Sequence, residues 1–235
     1  MMKKLLYVLL LCFCLFNSSC TMVVKSLSKS IAKNYDDQTE RNISGLVLTD
    51  EAGKSQTFAS LFAGKTVYLY GWKSGLLLPP GDKDSAYVSL KRRFIKYDDV
   101  VFINLYNGEK PEDWKKVLEL KNKGVKSYQL AADAENQDYR DLMGISTSPQ
   151  IIGKNGTILS FQGPMPTDKI FVDYTLYQAR NGQDGTASST QMIKGINSKL
   201  HFKNRKLADW YQLHYGKKPG KLAVSISNSG SRVSL

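Results

Sequence analysis

The amino-acid sequence predicts an α/β domain, a mixed central sheet with helices on both faces. Three observations carry this. Thr66 to Gly71 (TVYLYG) and Val100 to Leu105 (VVFINL) are β-branched and aromatic runs with apolar residues on both faces, as central strands buried on both sides require. The segments between and after them place apolar residues at spacings of three and four, the mark of amphipathic helices. The two patterns then alternate along the chain, which implies a layered sheet.

Taken in order, Ile43 to Leu48 reads as a short strand, Asp50 to Lys54 as a turn and Gln56 to Phe58 as the returning partner, which makes a hairpin. Ala59 to Phe62 begins a helical turn that Gly64 stops. After the first buried strand, Asp82 caps a helix running to about Tyr97, with Tyr87, Leu90, Phe94 and Tyr97 in one stripe and Lys91, Arg92, Arg93 and Lys96 mostly off it. The second buried strand follows. Pro111 then stands in the first turn of a helix, where proline is tolerated, and Trp114, Val117, Leu118 and Leu120 carry that helix to Gly124. Tyr128 to Leu130 is a short strand, and Tyr139 to Met143 a short helix stopped by Gly144. Ile151-Ile152 and Thr157 to Phe161 flank the turn Gly153 to Gly156, a second hairpin. Thr167 to Arg180, with Ile170, Phe171, Tyr174 and Tyr177 in a stripe, is the last helix of the domain.

Both ends differ from this middle. Met1-Met2-Lys3-Lys4 is basic, and Leu5 to Phe16 is an unbroken apolar run of twelve. A bilayer span needs about 20 such residues, so residues 1–19 read as a secretory signal peptide. Cys20 follows Asn17-Ser18-Ser19 and resembles the cysteine of the bacterial lipoprotein lipobox. Ser19 fits its small-residue requirement, while Asn17 stands where that motif prefers Leu. The resemblance implies a lipid on Cys20. The other outcome is ordinary cleavage nearby, which leaves Cys20 a lone thiol. Residues 20–41 read as a polar, lipid-anchored tether and residues 42–181 as the domain. Residues 182–235 form a basic C-terminal extension, opened by a Gly/Ser/Thr linker over Gly182 to Thr190. From Gly185 onward, nine basic residues between Lys194 and Arg232 face Asp209 alone. Within the extension, Leu207, Trp210, Tyr211 and His214 mark a short amphipathic helix stopped by Gly216, and Leu222 to Ile226 alternate as a strand.

From Gly45 to about Arg180 the chain resembles the TlpA/ResA-type thioredoxin-like proteins of the bacterial envelope, over about 135 of its 235 residues. The pieces are GLVLTDEAGKSQTFASLFAGKTVYLYGW, Trp72 where that family has the Trp before its active-site loop, KYDDVVFINLYNGEKPEDWKKVLE, and YRDLMGISTSPQIIGKNGTILSFQG. The resemblance implies a thioredoxin-like fold. It also implies that Pro149 is a cis proline facing the loop after Trp72, and that a cleft walled by Trp72, Leu76, Leu77, Leu78, Pro79, Thr147, Ser148 and Pro149 holds an extended peptide. The alternative is that the three leucines pack inward and the proline is scaffold. The family's Cys-x-x-Cys is missing. Leu76 and Pro79 fall near the two cysteine places, and no cysteine follows Cys20. Thiol–disulfide exchange requires a thiolate attacking a disulfide sulfur, so it is not expected of this chain.

Composition narrows the rest. At 42% hydrophobic and 23% charged, the chain is an ordinary globular one. Three cysteines exclude a disulfide scaffold, and two histidines leave little room for a histidine metal site. The acidic pairs Asp36-Asp37, Asp98-Asp99 and Asp133/Glu135 lie in turns or the tether and are expected to be solvated. No phosphate-binding, dinucleotide or nucleophile-elbow motif is present. No metal or cofactor is expected. The expected partners are a membrane through the N-terminal lipid, a peptide or protein at the cleft, and an anionic surface for the basic extension. The aromatics of that extension are otherwise expected to fold back on the domain. Export argues against nucleic acid. Three functions stay open. The first is a redox-inactive thioredoxin-like envelope lipoprotein, on the periplasmic side, that binds a polypeptide. The second is an oxidoreductase-family protein of envelope redox homeostasis, and the third a structural lipoprotein with a surface-binding tail.

Overall fold

The computed structural model describes residues 26–36, 40–72, 85–108, 110–119, 125–131, 136–144, 148–227 and 232–234. The expected signal peptide, Cys20, Leu76, Leu77, Leu78, Pro79 and Thr147 lie outside the described residues. Residues 26–33 are helical (α1). The further helices are α2 (Phe58–Phe62), α3 (Ser85–Phe94), α4 (Pro111–Glu119), α5 (Gln137–Gly144), α6 (Lys169–Ala179), α7 (Gly185–Gly195) and α8 (Arg205–Tyr215). The strands are β1 (Val47–Thr49), β2 (Ser55–Thr57), β3 (Thr66–Trp72), β4 (Val100–Tyr106), β5 (Lys126–Leu130), β6 (Gln150–Ile152), β7 (Ile158–Ser160), β8 (Ser225–Ser227) and β9 (Arg232–Ser234).

The main sheet has the order β2-β1-β5-β4-β3-β6-β7. At its centre β3 runs parallel to β4 and β4 parallel to β5, while β6 returns antiparallel on β3 and β7 antiparallel on β6. A parallel strand–helix–strand unit, then an antiparallel hairpin and a closing helix, is the thioredoxin-like arrangement, and the fold is of that class. Strand alternation divides the core in two. Val67, Leu69, Ile103 and Leu105 face α2 and α5. Tyr68 and Phe102 face α3 and α6, where Leu90, Phe94, Val172 and Leu176 complete the layer.

A third apolar core lies outside this sandwich and corrects two expectations. Ile31, Ala32 and Tyr35, expected in a flexible tether, are buried with Ile170, Phe171 and Tyr174 of α6 and with Met192, Ile193, Leu207 and Trp210 of α7 and α8. The Tyr35 hydroxyl donates to the Ser227 carbonyl at 2.7 Å. The physical reason is the spacing of Ile31 and Tyr35, one helical turn apart on a single face. Gly182 to Thr190, expected as a linker, leads directly into α7. Asp184 caps that helix by accepting from the Ala187 amide at 2.6 Å. Its small residues serve packing rather than flexibility: Ser188 and Ser189 are fully buried, and a methyl at Gly195 would overlap Leu207.

Residues 182–227 therefore share a core with the domain instead of hanging from it. The shared element is α6, eight of whose eleven residues are buried. A helix apolar nearly all round is buried on more than one side. The α8 helix forms where the sequence places it, capped by Asn204 and ended by Gly216 in the left-handed conformation, φ 70°. Its Leu207 and Trp210 fold back on α6 as expected. Leu222 and Val224 are buried but precede the strand, which begins only at Ser225. No helix among the described residues is long and apolar enough to cross a membrane.

Candidate functional site at the carboxyl ends of β3 and β4

The two central parallel strands end together, Trp72 in register with Tyr106. Ligands of open α/β sheets bind outside the carboxyl ends of such strands. Here that end is aromatic. The Trp72 and Tyr106 rings lie 4.5 Å apart, and Trp114 of α4 stacks on Tyr106 at 6.1 Å and 16°. The Tyr106 hydroxyl donates to the Lys110 carbonyl at 2.9 Å and accepts from the Lys110 amide at 3.2 Å. A methyl at Gly108 would collide with that phenol, so glycine there lets the chain turn over the ring. The Asn107 amide donates to the Trp72 carbonyl at 2.8 Å, and its side chain donates to the Arg140 carbonyl at 2.9 Å.

Two polar groups at this end of the sheet have no hydrogen-bond partner among the described residues: the indole N–H of Trp72 and the whole amide of Asn104, which is fully buried and pairs across the strands with Tyr70. Each such group costs about 1–3 kcal/mol relative to a satisfied one.

The register Leu69↔Gln150 directs Pro149 and Ser148 toward the Trp72 end of β3, so the fold brings together the three described members of the expected cleft. All three are buried. The Pro149 carbonyl accepts from the Gly163 amide at 2.7 Å, and Gln150 accepts from the Tyr139 hydroxyl at 2.8 Å. The expected cis bond is a point of difference. No cis peptide occurs among the described residues, so Ser148–Pro149 is trans, the form a prolyl bond intrinsically favours.

Sequence reasoning missed two ionic clusters. Asp99, expected solvated, lies between Lys154 at 2.8 Å and Arg180 at 2.7 Å. Burial works to raise its pKa, but the hydrogen bonds from Arg180 and Lys154 outweigh this and hold the carboxyl below its usual range. The second cluster joins three helices. Arg93 of α3 grips fully buried Asp173 of α6, and Tyr215 of α8 donates to the same carboxylate. His214 Nε2 stands 3.3 Å from it, outside hydrogen-bond geometry, while Nδ1 is 3.2 Å from the Tyr97 hydroxyl. Burial first, then the Asp173 charge, pushes the Tyr215 phenol far above its ordinary pKa. Against the cost of burial, the bond to Asp173 raises that of Arg93. No sequence signal marks partners 80 residues apart. Among the described residues no three His, Cys, Asp or Glu side chains gather as a metal site.

No protein-family model matches the chain, and no curated protein matches it. Solved structures do. A provisionally named thiol-disulfide oxidoreductase from Bacteroides vulgatus is 18% identical over 57% of this chain and 96% of its own, with a TM-score of 0.43. A provisionally named electron transfer protein from Aquifex aeolicus VF5 is 14% identical over 61% and 99%, TM-score 0.46. BsSco, a member of the Sco family of cytochrome c oxidase assembly proteins, is 13% identical over 63% and 98%, TM-score 0.42.

Proposed function

We propose that this chain is an exported envelope lipoprotein, anchored through Cys20 on the periplasmic side, whose thioredoxin-like domain has no redox chemistry and binds an extended polypeptide at the Trp72–Pro149 edge. One observation carries the reading. No cysteine follows Cys20, so the loop after Trp72 carries no thiol, while the strand ends beside it carry the Trp72–Tyr106–Trp114 aromatic cluster. Trp114, partly exposed on α4, offers an aromatic contact surface there at low entropic cost.

Two measurements test this. The purified protein should not accelerate insulin reduction by dithiothreitol; a rate like that of a Cys-x-x-Cys protein would end the redox-inactive reading. A photo-cross-linking residue at Lys115, exposed beside Trp114 on α4, should give a discrete polypeptide adduct in cells. The same residue at Lys54, in the β1–β2 turn, should give none. Equal yields from both positions would remove the binding edge.

A further inference from the structure

We infer that the surface where the C-terminal ends of α3 and α8 meet docks on an anionic lipid bilayer. Ile95 is 84% exposed and Leu213 64%, a costly placement for large aliphatic side chains unless something covers them. Lys96 ties them together. Its ammonium donates to the carbonyl oxygens of Leu213 at 2.7 Å and His214 at 2.9 Å, which fastens the end of α3 to the end of α8. Beside Ile95 a cleft of about 520 Å³ opens between α3 and the start of β4, walled by Val88, Val101 and Phe102.

The surroundings are cationic. Arg92, Lys96, Lys217 and Lys218 are exposed and Lys91 partly so, with Asp98 the acid nearby. Aliphatic tips ringed by cations match an interface whose headgroups are anionic and whose acyl boundary is apolar. An apolar protein surface would leave the cations unused, and nucleic acid would leave the aliphatic tips unused. The surface is distinct from the aromatic edge: the cleft lies at the start of β4, and Tyr106 ends that strand. The inference therefore does not rest on polypeptide binding, and docking would turn the aromatic edge away from the bilayer.

The test is amine footprinting of the full chain. Phosphatidylglycerol-containing vesicles should slow acetylation of Lys217, Lys218 and Lys91 several-fold and leave Lys115 on α4 unchanged. Phosphatidylcholine vesicles should slow none of the four. Ile95→Asp with Leu213→Asp should abolish the protection while keeping the wild-type melting temperature, since both positions are exposed. Equal slowing at Lys115, equal slowing in both vesicle types, or protection that survives the double substitution would each overturn the docking surface, whether or not Cys20 carries a lipid.

Discussion

Arg93 holds Asp173 through two parallel hydrogen bonds, Nε to Oδ2 at 2.6 Å and Nη2 to Oδ1 at 2.8 Å. The carboxylate is fully buried and the guanidinium side chain 18% exposed. This fork joins α3 to α6 at the point where Tyr215 brings α8 onto the same carboxylate. It is thus a polar link between the thioredoxin-like layers and the C-terminal helices.

Removing one partner of a buried pair leaves the other charge uncompensated, which costs about 3–5 kcal/mol, whereas an apolar pair of similar volume is often neutral. Asp173→Ala should therefore lower unfolding free energy by about that amount in urea, and Arg93→Met with Asp173→Leu should recover most of it. A loss below about 1 kcal/mol for Asp173→Ala, the value of a surface pair, would mean that the link is solvated.

Asp99 predicts an acid limb. Its folded pKa is depressed, so the stability it contributes is present above its unfolded pKa, about 3.9. That stability is lost as pH falls through the lower folded value. Asp99→Asn should be less stable than wild type at neutral pH, and the difference should shrink as the pH drops below about 4. Melting curves at several pH values check this, and a gap that widens on acidification would contradict the assignment.

Two glycines should respond to alanine for different reasons. Gly216 ends α8 at φ 70° with no atom near the position of an added methyl, so Gly216→Ala should cost about 1 kcal/mol through backbone strain alone. At Gly195 the methyl would overlap the Leu207 side chain, and overpacking there should cost about 1–3 kcal/mol. Combining Gly195→Ala with Leu207→Ala should recover less than half of that loss, because the cavity left by leucine carries its own cost. Equal effects at the two positions would refute the distinction.

Lipidation rests on Cys20, outside the described residues. Labelled fatty acid should enter the wild-type protein in cells and not Cys20→Ala. Label in both, or in neither, would remove the anchor and leave the domain's properties unchanged.

Much of the fold was legible in the sequence because its signals are local. The runs TVYLYG and VVFINL can only be central strands, the hairpin turns carry their glycines, and Tyr87, Leu90 and Phe94 declare the face of α3. Gly216 marks the end of α8 by its own chemistry. The stacking of Tyr106 and Trp114 on Trp72 was not legible, since nothing along the chain says which aromatic residues share a strand end.

What the sequence by itself determined is therefore the succession of elements, the α/β class and the lack of any thiol after Cys20, each a property of near neighbours or of composition. Only the tertiary structure decided that residues 26–36 and 182–227 belong to the body of the protein. Their weak, small-residue and polar patterns resemble tether and linker until α6 supplies the apolar surface that they cover. The same holds for charge. Arg93 and Asp99 read as solvated residues along the chain, and nothing along it marks Asp173 as a partner of Arg93. Arg93 and Asp173 become a buried pair, with Tyr215 on the same carboxylate, only when folding brings α3, α6 and α8 together and removes the water that would otherwise separate them.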